Sequence, residues 1–245
     1  MRDGVVERIR AAGGEIYAIT SEPQHLADQA HEHWALDFEN VGDPHQEISR
    51  TCSERGWLTL YASAGKLEFL QRGTDWDVEH PKGFFQPGVL SLTSTGRVLY
   101  RWRSVPSDEN LQGAFRRPTP EHAWNAIESS LAAGEAAGDA EHDEDPVLDH
   151  DPPPRAIFIA SVIANGWFVG VKSFAYSPGV NSASSRFGFV GYRWLLFLAF
   201  WATALALLPK IPVGLALAGW IFWIARDIRR VLNAMDIHEE LIANH

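Results

Sequence analysis

Cysteine and positive charge are scarce in this sequence of 245 residues. Cys52 is the single cysteine, so an intrachain disulfide is excluded and a reducing compartment is indicated. Lys and Arg number 21 against 31 Asp and Glu, which leaves a formal net charge of −10. Because this charge repels a phosphate backbone, the composition predicts that nucleic acid is not a partner.

Motifs for nucleotide and metal chemistry are missing as well. The sequence has no phosphate-binding glycine loop, no GxSxG nucleophile motif and no HExxH zinc motif. His25, His31 and His33 are neighbours in the sequence, but His31 and His33 are two residues apart and do not share a helix face. We therefore predict surface histidines here, and no metal or other cofactor. Residues 1–30 lack the apolar stretch of a cleavable secretory signal.

Apolar residues are unevenly distributed, although the mean hydropathy of the chain is −0.15. Residues 1–134 have the composition of a globular domain, and residues 155–245 are largely apolar. Between them, residues 135–154 form an acidic, proline-rich linker: eight acids and no Lys or Arg lie between Glu135 and Asp151, and three prolines follow. Such a composition predicts a self-repelling, extended tether.

The first 56 residues alternate between helical and strand patterns. An amphipathic segment ends at Gly13-Gly14, Pro23 opens a second helix, and Asp43-Pro44 opens a third that Gly56 closes. This order predicts a parallel sheet with helices on its faces. The predicted elements are helices at residues 1–12, 23–35 and 43–55, and strands at residues 15–20 and 37–41.

Residues 84–102 form the clearest local pattern, that of a β-hairpin. Strands are predicted at residues 89–92 and 98–102, joined by a turn in which Gly96 takes a positive φ. Pro87 precedes the first strand, and the Gln86–Pro87 bond is a candidate for a cis peptide. After a polar loop, Thr119 and Pro120 begin a helix that runs to about residue 133.

The segments GGEIYAITSEP, FENVGDPHQEISR, FFQPGVLSLTSTGRVLYRWRS and RPTPEHAW occur in this order within residues 1–131. They resemble the peroxiredoxin-like (AhpC/TSA) branch of the thioredoxin superfamily. The resemblance implies an α/β fold with a thioredoxin-like sheet flanked by helices. It also implies thiol oxidoreductase or antioxidant activity, with a peroxide substrate and a thiol reductant as partners. Pro87 matches the proline that borders the active site in this family.

The sequence departs from this family at its start. Met1 falls within the first helix of the family pattern, so the first strand and the loop with the peroxidatic cysteine have no counterpart here. Cys52 is a weak candidate, because it lies in the middle of a helix, where Arg50 and Arg55 lower its pKa and neighbouring acids raise it. Two interpretations remain open. Either the natural chain begins upstream with a catalytic cysteine, or the domain is a non-catalytic interaction module; in both, the chain as given is expected to be inactive.

Four arginines flank the polar loop that follows the hairpin. Arg101 and Arg103 precede it, and Arg116 and Arg117 follow it. Guanidinium groups can bind an anionic ligand bidentately, so these residues are a candidate anion-binding site. The alternative is a solvated strand end and loop with no ligand.

The apolar C-terminal region predicts a pair of helices in a membrane. The predicted spans, residues 187–208 and 211–228, are joined by a turn between Pro209 and Pro212. A re-entrant hairpin and a buried soluble hairpin are the alternatives. Arginines outnumber the lone Lys210 at the turn, so the flanks and the first domain are predicted to face the cytoplasm. Residues 156–171 are predicted to be an interfacial or hairpin-packed segment, with a third span as the alternative.

Together these patterns predict a membrane-tethered, peroxiredoxin-like thiol oxidoreductase that lacks its peroxidatic segment. The competing prediction is a non-catalytic, membrane-anchored thioredoxin-fold interaction module. In both, the lipid bilayer is a partner.

Overall fold

The computed structural model describes residues 4–63, 79–107, 110, 113, 116–149, 154, 156 and 183–234. These residues divide into two compact units. The first unit contains the described residues up to 149, and the second contains the two helices within residues 183–234.

The N-terminal part of the first unit alternates between helix and strand, as the sequence predicts. Asp43 fixes the third helix: its side-chain oxygens accept hydrogen bonds from the backbone N–H groups of Glu47, Ile48 and Ser49, at 2.7, 3.2 and 3.0 Å. Because the first N–H groups of a helix have no intrahelical partner, a carboxylate here stabilises the helix start. The elements are α1 (Val5–Ala11), β1 (Tyr17–Thr20), α2 (Gln24–Trp34), β2 (Glu39–Gly42) and α3 (Glu47–Glu54).

The later elements of the first unit follow local signals closely. They are β3 (Ala62–Ser63), β4 (Phe84–Phe85), β5 (Gly88–Leu92), β6 (Val98–Arg103) and α4 (Pro120–Ala132). Gly96 has φ +90° in the turn between β5 and β6, which confirms its predicted role. Thr119 caps α4 by accepting a hydrogen bond from the backbone N–H of His122, with Pro120 in the first turn. The Gln86–Pro87 bond is trans, because no described peptide bond is cis, so the predicted cis bond is wrong.

The strands pair only in twos among the described residues. β1 pairs in parallel with β2, whereas β3–β4 and β5–β6 are antiparallel pairs. The predicted thioredoxin-like sheet is therefore wrong. At β6, β5 occupies one edge and a bridge between Arg101 and His142 occupies the other, so this strand offers no edge to β1 or β2. Among the described residues β5 pairs with β6 alone and β1 pairs with β2 alone, so the pairs do not join into one sheet.

The acidic segment beyond α4 supplies that second edge. Backbone N–H groups of Ala140 and Asp143 donate to the carbonyls of Val98 and Arg101, each at 3.0 Å. The backbone N–H of Val98 in turn donates to Asp139 Oδ1 at 2.8 Å. Further along, the backbone N–H of Thr119 donates to the carbonyl of Val147, and the backbone N–H of Asp149 donates to the carbonyl of Arg117. The sequence predicts a self-repelling, extended tether here, and in the structure residues 139–149 of this segment make hydrogen bonds to the first unit.

The core of the first unit lies between β6 and α4. Tyr100 and Trp102 are buried on one face of β6 and pack with Ala123 of α4. Because alternate residues of a strand point to opposite faces, Arg101 and Arg103 lie on the other face. The two faces of β6 therefore have different roles, one apolar and one basic.

The second unit consists of two 25-residue helices, α5 (Ala183–Leu207) and α6 (Lys210–Ala234). No helix among the described residues is both long enough and apolar enough to cross a membrane. The predicted transmembrane hairpin is therefore wrong. Its uncharged stretches are too short: residues 194–207 and 211–225 extend roughly 21 and 22 Å as helix, against a hydrocarbon core of about 30 Å. The third predicted segment, residues 156–171, lies outside the described residues except for Ala156.

Candidate functional site

Cys52, the weak catalytic candidate, lies in the last turn of α3 and is partly buried. Burial raises the pKa of its thiol, the nearby charge of Asp43 raises it further, and Arg55 lowers it only in part. After burial, Asp43 has the larger effect of the two charged neighbours, and the sequence did not identify it as a neighbour of the thiol. A thiol with a raised pKa holds little thiolate at neutral pH, so this environment disfavours nucleophilic or redox chemistry.

Pro87 lies directly before β5, at the strand entry where the sequence places it. Its carbonyl accepts a hydrogen bond from the backbone N–H of Ser104 at 2.8 Å, and Gln86 beside it is buried. Gly88 allows the side chain of Leu60 to pack closely, since a Cβ at Gly88 would lie 2.3 Å from Leu60 Cδ2. These contacts give Pro87 a structural setting, and its role as an active-site border stays a prediction.

Arg101 and Arg103 hold the chain between α3 and β3 against β6. The Nη1 atom of Arg101 donates to the carbonyls of Gly56 and Trp57, at 2.8 and 3.3 Å. Arg103 Nη1 donates to the carbonyl of Thr59 at 3.1 Å, and its guanidinium lies 4.8 Å from the ring centroid of Tyr61. The two guanidinium groups are thus already engaged with backbone carbonyls and an aromatic ring.

Arg116 and Arg117 make a separate set of contacts near the start of α4. Arg117 Nη1 donates to the carbonyl of Arg116 at 3.4 Å, and the backbone N–H of Asp149 donates to the carbonyl of Arg117 at 3.0 Å. Burial lowers the pKa of the Arg117 guanidinium. The structure pairs the arginines two by two, and a common anion site for all four stays a prediction.

A cluster of Tyr100, His122 and Asp143 was not predicted from the sequence. Asp143 Oδ2 accepts hydrogen bonds from the Tyr100 hydroxyl at 2.8 Å and from His122 Nε2 at 2.7 Å. The rings of Tyr100 and His122 meet edge to face. Burial raises the pKa of Tyr100, and the hydrogen bond and charge of Asp143 raise it further. We call these three residues the tyrosine node; it joins β6, α4 and the acidic segment.

The tyrosine node is arranged to hold chain segments together rather than to transfer a proton. A tyrosine with a raised pKa stays protonated and acts as a hydrogen-bond donor, which suits fastening a chain segment. The sequence offered one signal that could have found it: His122 follows the helix-capping Thr119 and sits in the first turn of α4. Its partner Asp143, 21 residues away, could not be identified among eight acids.

Ser21 and His80 form a second pair that the sequence did not single out. Ser21 Oγ and His80 Nδ1 are 2.9 Å apart, and burial lowers the pKa of His80. A serine beside a neutral histidine is the geometry of an activated nucleophile. However, only 3% of Ser21 is exposed, so its hydroxyl is closed to a substrate. The pair is better explained as a buried hydrogen bond that positions the start of α2.

The most unusual surface belongs to α5 and α6. Phe197 and Trp220 join the helices with ring centroids 5.7 Å apart, while Val213 and Ile224 are buried. Many other large apolar side chains are exposed, including Phe222 at 80%, Ile211 at 79% and Leu207 at 78%. We call this exposed set the apolar surface; its members are Leu195, Leu196, Leu198, Phe200, Leu205, Leu207, Leu208, Ile211, Leu215, Ile221, Phe222 and Trp223.

Comparisons with known proteins add no constraint on this chain. No protein-family model, curated protein or solved structure matches it. In the part of the chain that the structure describes, no group of three or more His, Cys, Asp or Glu side chains is arranged to hold a metal ion.

Proposed function

We propose that this protein is a non-catalytic binding module that associates with a lipid bilayer through α5 and α6. The observation that carries the proposal is the apolar surface, in which Leu207, Ile211 and Phe222 are each more than three-quarters exposed. Large contiguous apolar patches on a protein surface mark contact with a membrane or with another protein. Insertion of a fully exposed large side chain into hydrocarbon is favourable by about 1.5–3 kcal/mol.

A bilayer suits this surface better than a single protein partner. Its exposed apolar residues occur along both helices rather than along one stripe, and lipid tails can cover such a surface from several directions. Among the side chains that the structure describes in these two helices, the exposed charges lie toward the ends of α6: Lys210 begins the helix, and Arg226 and Arg229 follow its apolar part. This arrangement keeps the charges at headgroup level while the apolar part contacts acyl chains.

We further propose that the first unit faces the cytoplasm and acts by binding, without thiol chemistry. The raised pKa of Cys52 supports the non-catalytic part of this proposal. The single cysteine is compatible with a reducing compartment. The thiol oxidoreductase activity implied by the family resemblance stays a prediction, and the environment of Cys52 does not favour it.

Flotation of the full chain with neutral phosphatidylcholine vesicles tests bilayer association. We expect the protein to float with the vesicles in a density gradient without detergent. A folded, unaggregated chain that stays at the bottom of the gradient contradicts the proposal. Circular dichroism and light scattering establish the folded, unaggregated state.

A peroxide-consumption assay with a thiol reductant tests the non-catalytic assignment. We expect the same rate for the full chain, for Cys52→Ser and for buffer with reductant. Turnover that disappears in Cys52→Ser would show that the thiol is catalytic despite its raised pKa.

A further inference from the structure

The C-terminal part of α6 carries two exposed arginines next to exposed aromatic residues. Arg226 and Arg229 are three residues apart, so they lie on one face of the helix. Phe222 lies four residues before Arg226 on the same face and is 80% exposed. Along this face the surface therefore changes from apolar to cationic within about two turns.

The neighbouring helix adds an aromatic residue at the same level. α5 and α6 are separated by two residues, and the contact between Phe197 and Trp220 shows that they run antiparallel. Counting outward from that contact, Tyr192 of α5 lies level with about residue 225 of α6. Tyr192 and Trp223 are both more than half exposed. Aromatic residues in this position are typical of the boundary between acyl chains and headgroups.

The two ends of the helix pair differ in charge. Residues 226–230 contain three arginines and one aspartate, whereas the turn between the helices contributes Lys210 alone. A guanidinium group binds phosphate oxygens bidentately, and arginine is weakly hydrated, so it suits the headgroup region. The positive charge is notable in a chain whose formal net charge is −10.

We propose that Arg226 and Arg229 form a binding site for the headgroups of anionic phospholipids, with Trp223 and Tyr192 at the acyl boundary. This inference rests on the proposed bilayer association and names the lipid class that strengthens it. Attraction of a basic residue to an anionic membrane surface strengthens binding about fivefold, so the pair contributes roughly 25-fold. The preference decreases with added salt, because salt screens exposed charges.

Vesicle binding by the full chain tests the site. Affinity is measured for vesicles of phosphatidylcholine alone and for vesicles in which part of this lipid is replaced by phosphatidylglycerol. We expect wild type to bind the anionic vesicles roughly 25-fold more tightly at low salt. The variant Arg226→Gln/Arg229→Gln should bind both kinds of vesicle equally, with its affinity for phosphatidylcholine unchanged.

A variant in the first unit provides the charge-matched control. Arg50→Gln/Arg55→Gln removes the same number of positive charges and should keep the full preference for anionic vesicles. If the control loses the preference as much as the α6 variant does, net charge rather than a site explains it, and the inference is wrong. Circular dichroism of both variants shows whether each has folded.

The remaining outcomes separate this inference from the proposed function. Equal binding of wild type to both kinds of vesicle overturns the anionic site and leaves bilayer association intact. Failure to bind either kind overturns both. A preference that persists in Arg226→Gln/Arg229→Gln overturns the assignment to these two residues.

Discussion

The two compact units differ in where they place their large apolar side chains. In the first unit, Val98, Leu99, Tyr100 and Trp102 of β6 are buried, and the exposed residues around them are mainly polar. In α5 and α6 the proportions are reversed, since only Val213, Trp220 and Ile224 are buried among the described apolar residues there. The first unit therefore buries its large apolar side chains in a core, and the second presents an apolar surface that water solvates poorly.

The units also differ in how polar groups contribute to their structure. The first unit depends on specific hydrogen bonds over long sequence distances, such as the tyrosine node and the bond from Arg101 to the carbonyl of Gly56. The described contacts within the second unit are mainly ring contacts, such as Phe197 with Trp201 and Trp220. We therefore expect substitutions in the first unit to change folding stability, and substitutions on the apolar surface to change membrane binding.

The largest effect is expected on the apolar surface. Replacing Leu207, Ile211 and Phe222 together by glutamine should weaken vesicle binding by at least about 100-fold, because each lost apolar contact costs about 1.5 kcal/mol or more. The thermal unfolding of the first unit should be unchanged. Vesicle flotation and circular dichroism measure the two quantities.

A matched triple variant in the first unit sharpens this comparison. Tyr17, Ile19 and Trp34 are also large and exposed. Their replacement by glutamine should leave vesicle binding within about twofold of wild type, because isolated surface apolar residues are ordinary in soluble domains. Equal losses in the two triple variants would contradict the assignment of membrane binding to α5 and α6.

A close backbone approach provides the next largest effect, this time on folding. A Cβ at Gly42 would lie 2.6 Å from the backbone nitrogen of Gln24 and from the backbone oxygen of Glu22. Since backbone atoms cannot rotate away as a side chain can, Gly42→Ala should lower the free energy of unfolding by about 3 kcal/mol. Urea denaturation measures the change.

Gly138 is the control for that substitution, because nothing lies within 4 Å of a Cβ built there. Gly138→Ala should change the free energy of unfolding by less than about 0.5 kcal/mol. Vesicle binding should be the same for both alanine variants, because membrane binding is assigned to the second unit and both substitutions lie in the first. A loss of binding in Gly42→Ala alone, at temperatures where it is folded, would show that the units are coupled.

The sequence predicts this fold well wherever a few adjacent residues decide the structure. Thr119 with Pro120 marks the start of α4, and Gly96 marks the turn between β5 and β6, because capping and positive φ are local requirements. Strand pairing is not local. Nothing near β6 in the sequence shows that its second edge is taken by His142, 41 residues from Arg101. Nor does the sequence show that β1 and β2 pair only with each other among the described residues, so the prediction of one continuous sheet was wrong.

At the candidate site, too, the sequence identified residue types but not the groups that they contact. The sequence singled out Arg101 and Arg103 for their charge, but their partners are backbone carbonyls of residues 56, 57 and 59, which have no signature in the sequence. Likewise, the charge of residues 135–151 predicts repulsion, whereas Asp143 is stabilised by two specific donors. Composition describes an average environment and cannot identify the one acid that finds a partner.

A smaller loss of stability is expected at the start of α3. Asp43 is 4% exposed and accepts three backbone hydrogen bonds. Asp43→Ala should lower the free energy of unfolding by about 2 kcal/mol, and the less buried cap substitution Thr119→Ala by about 1 kcal/mol. Urea denaturation of both variants gives the comparison.

Asp43→Ala has a second readout that a loss of stability alone does not produce. The charge of Asp43 is one cause of the raised pKa of the Cys52 thiol. Its removal should lower that pKa and accelerate alkylation of Cys52 by iodoacetamide under native conditions, whereas Thr119→Ala should not. Equal alkylation rates in both variants, once local unfolding is accounted for, would contradict the electrostatic link.

The smallest effect concerns the tyrosine node at high pH. Tyr100→Phe removes the hydrogen bond to Asp143 and should lower the free energy of unfolding by about 1 kcal/mol at pH 7. Burial and Asp143 raise the pKa of Tyr100 in the folded state, so the unfolded chain ionises first, near pH 10. The stability that the neutral hydroxyl contributes is therefore complete below about pH 10 and is lost as the pH rises above it.

Because Tyr100→Phe has no hydroxyl to ionise, the stability difference between wild type and variant should narrow as the pH rises above about 10. Urea denaturation at pH 7 and above pH 10 measures this difference, and background titrations cancel because both proteins share them. Tyr17→Phe, which removes an exposed hydroxyl outside the node, is the control. A difference that stays constant for Tyr100→Phe across this range would show that Asp143 does not hold the hydroxyl in its neutral form.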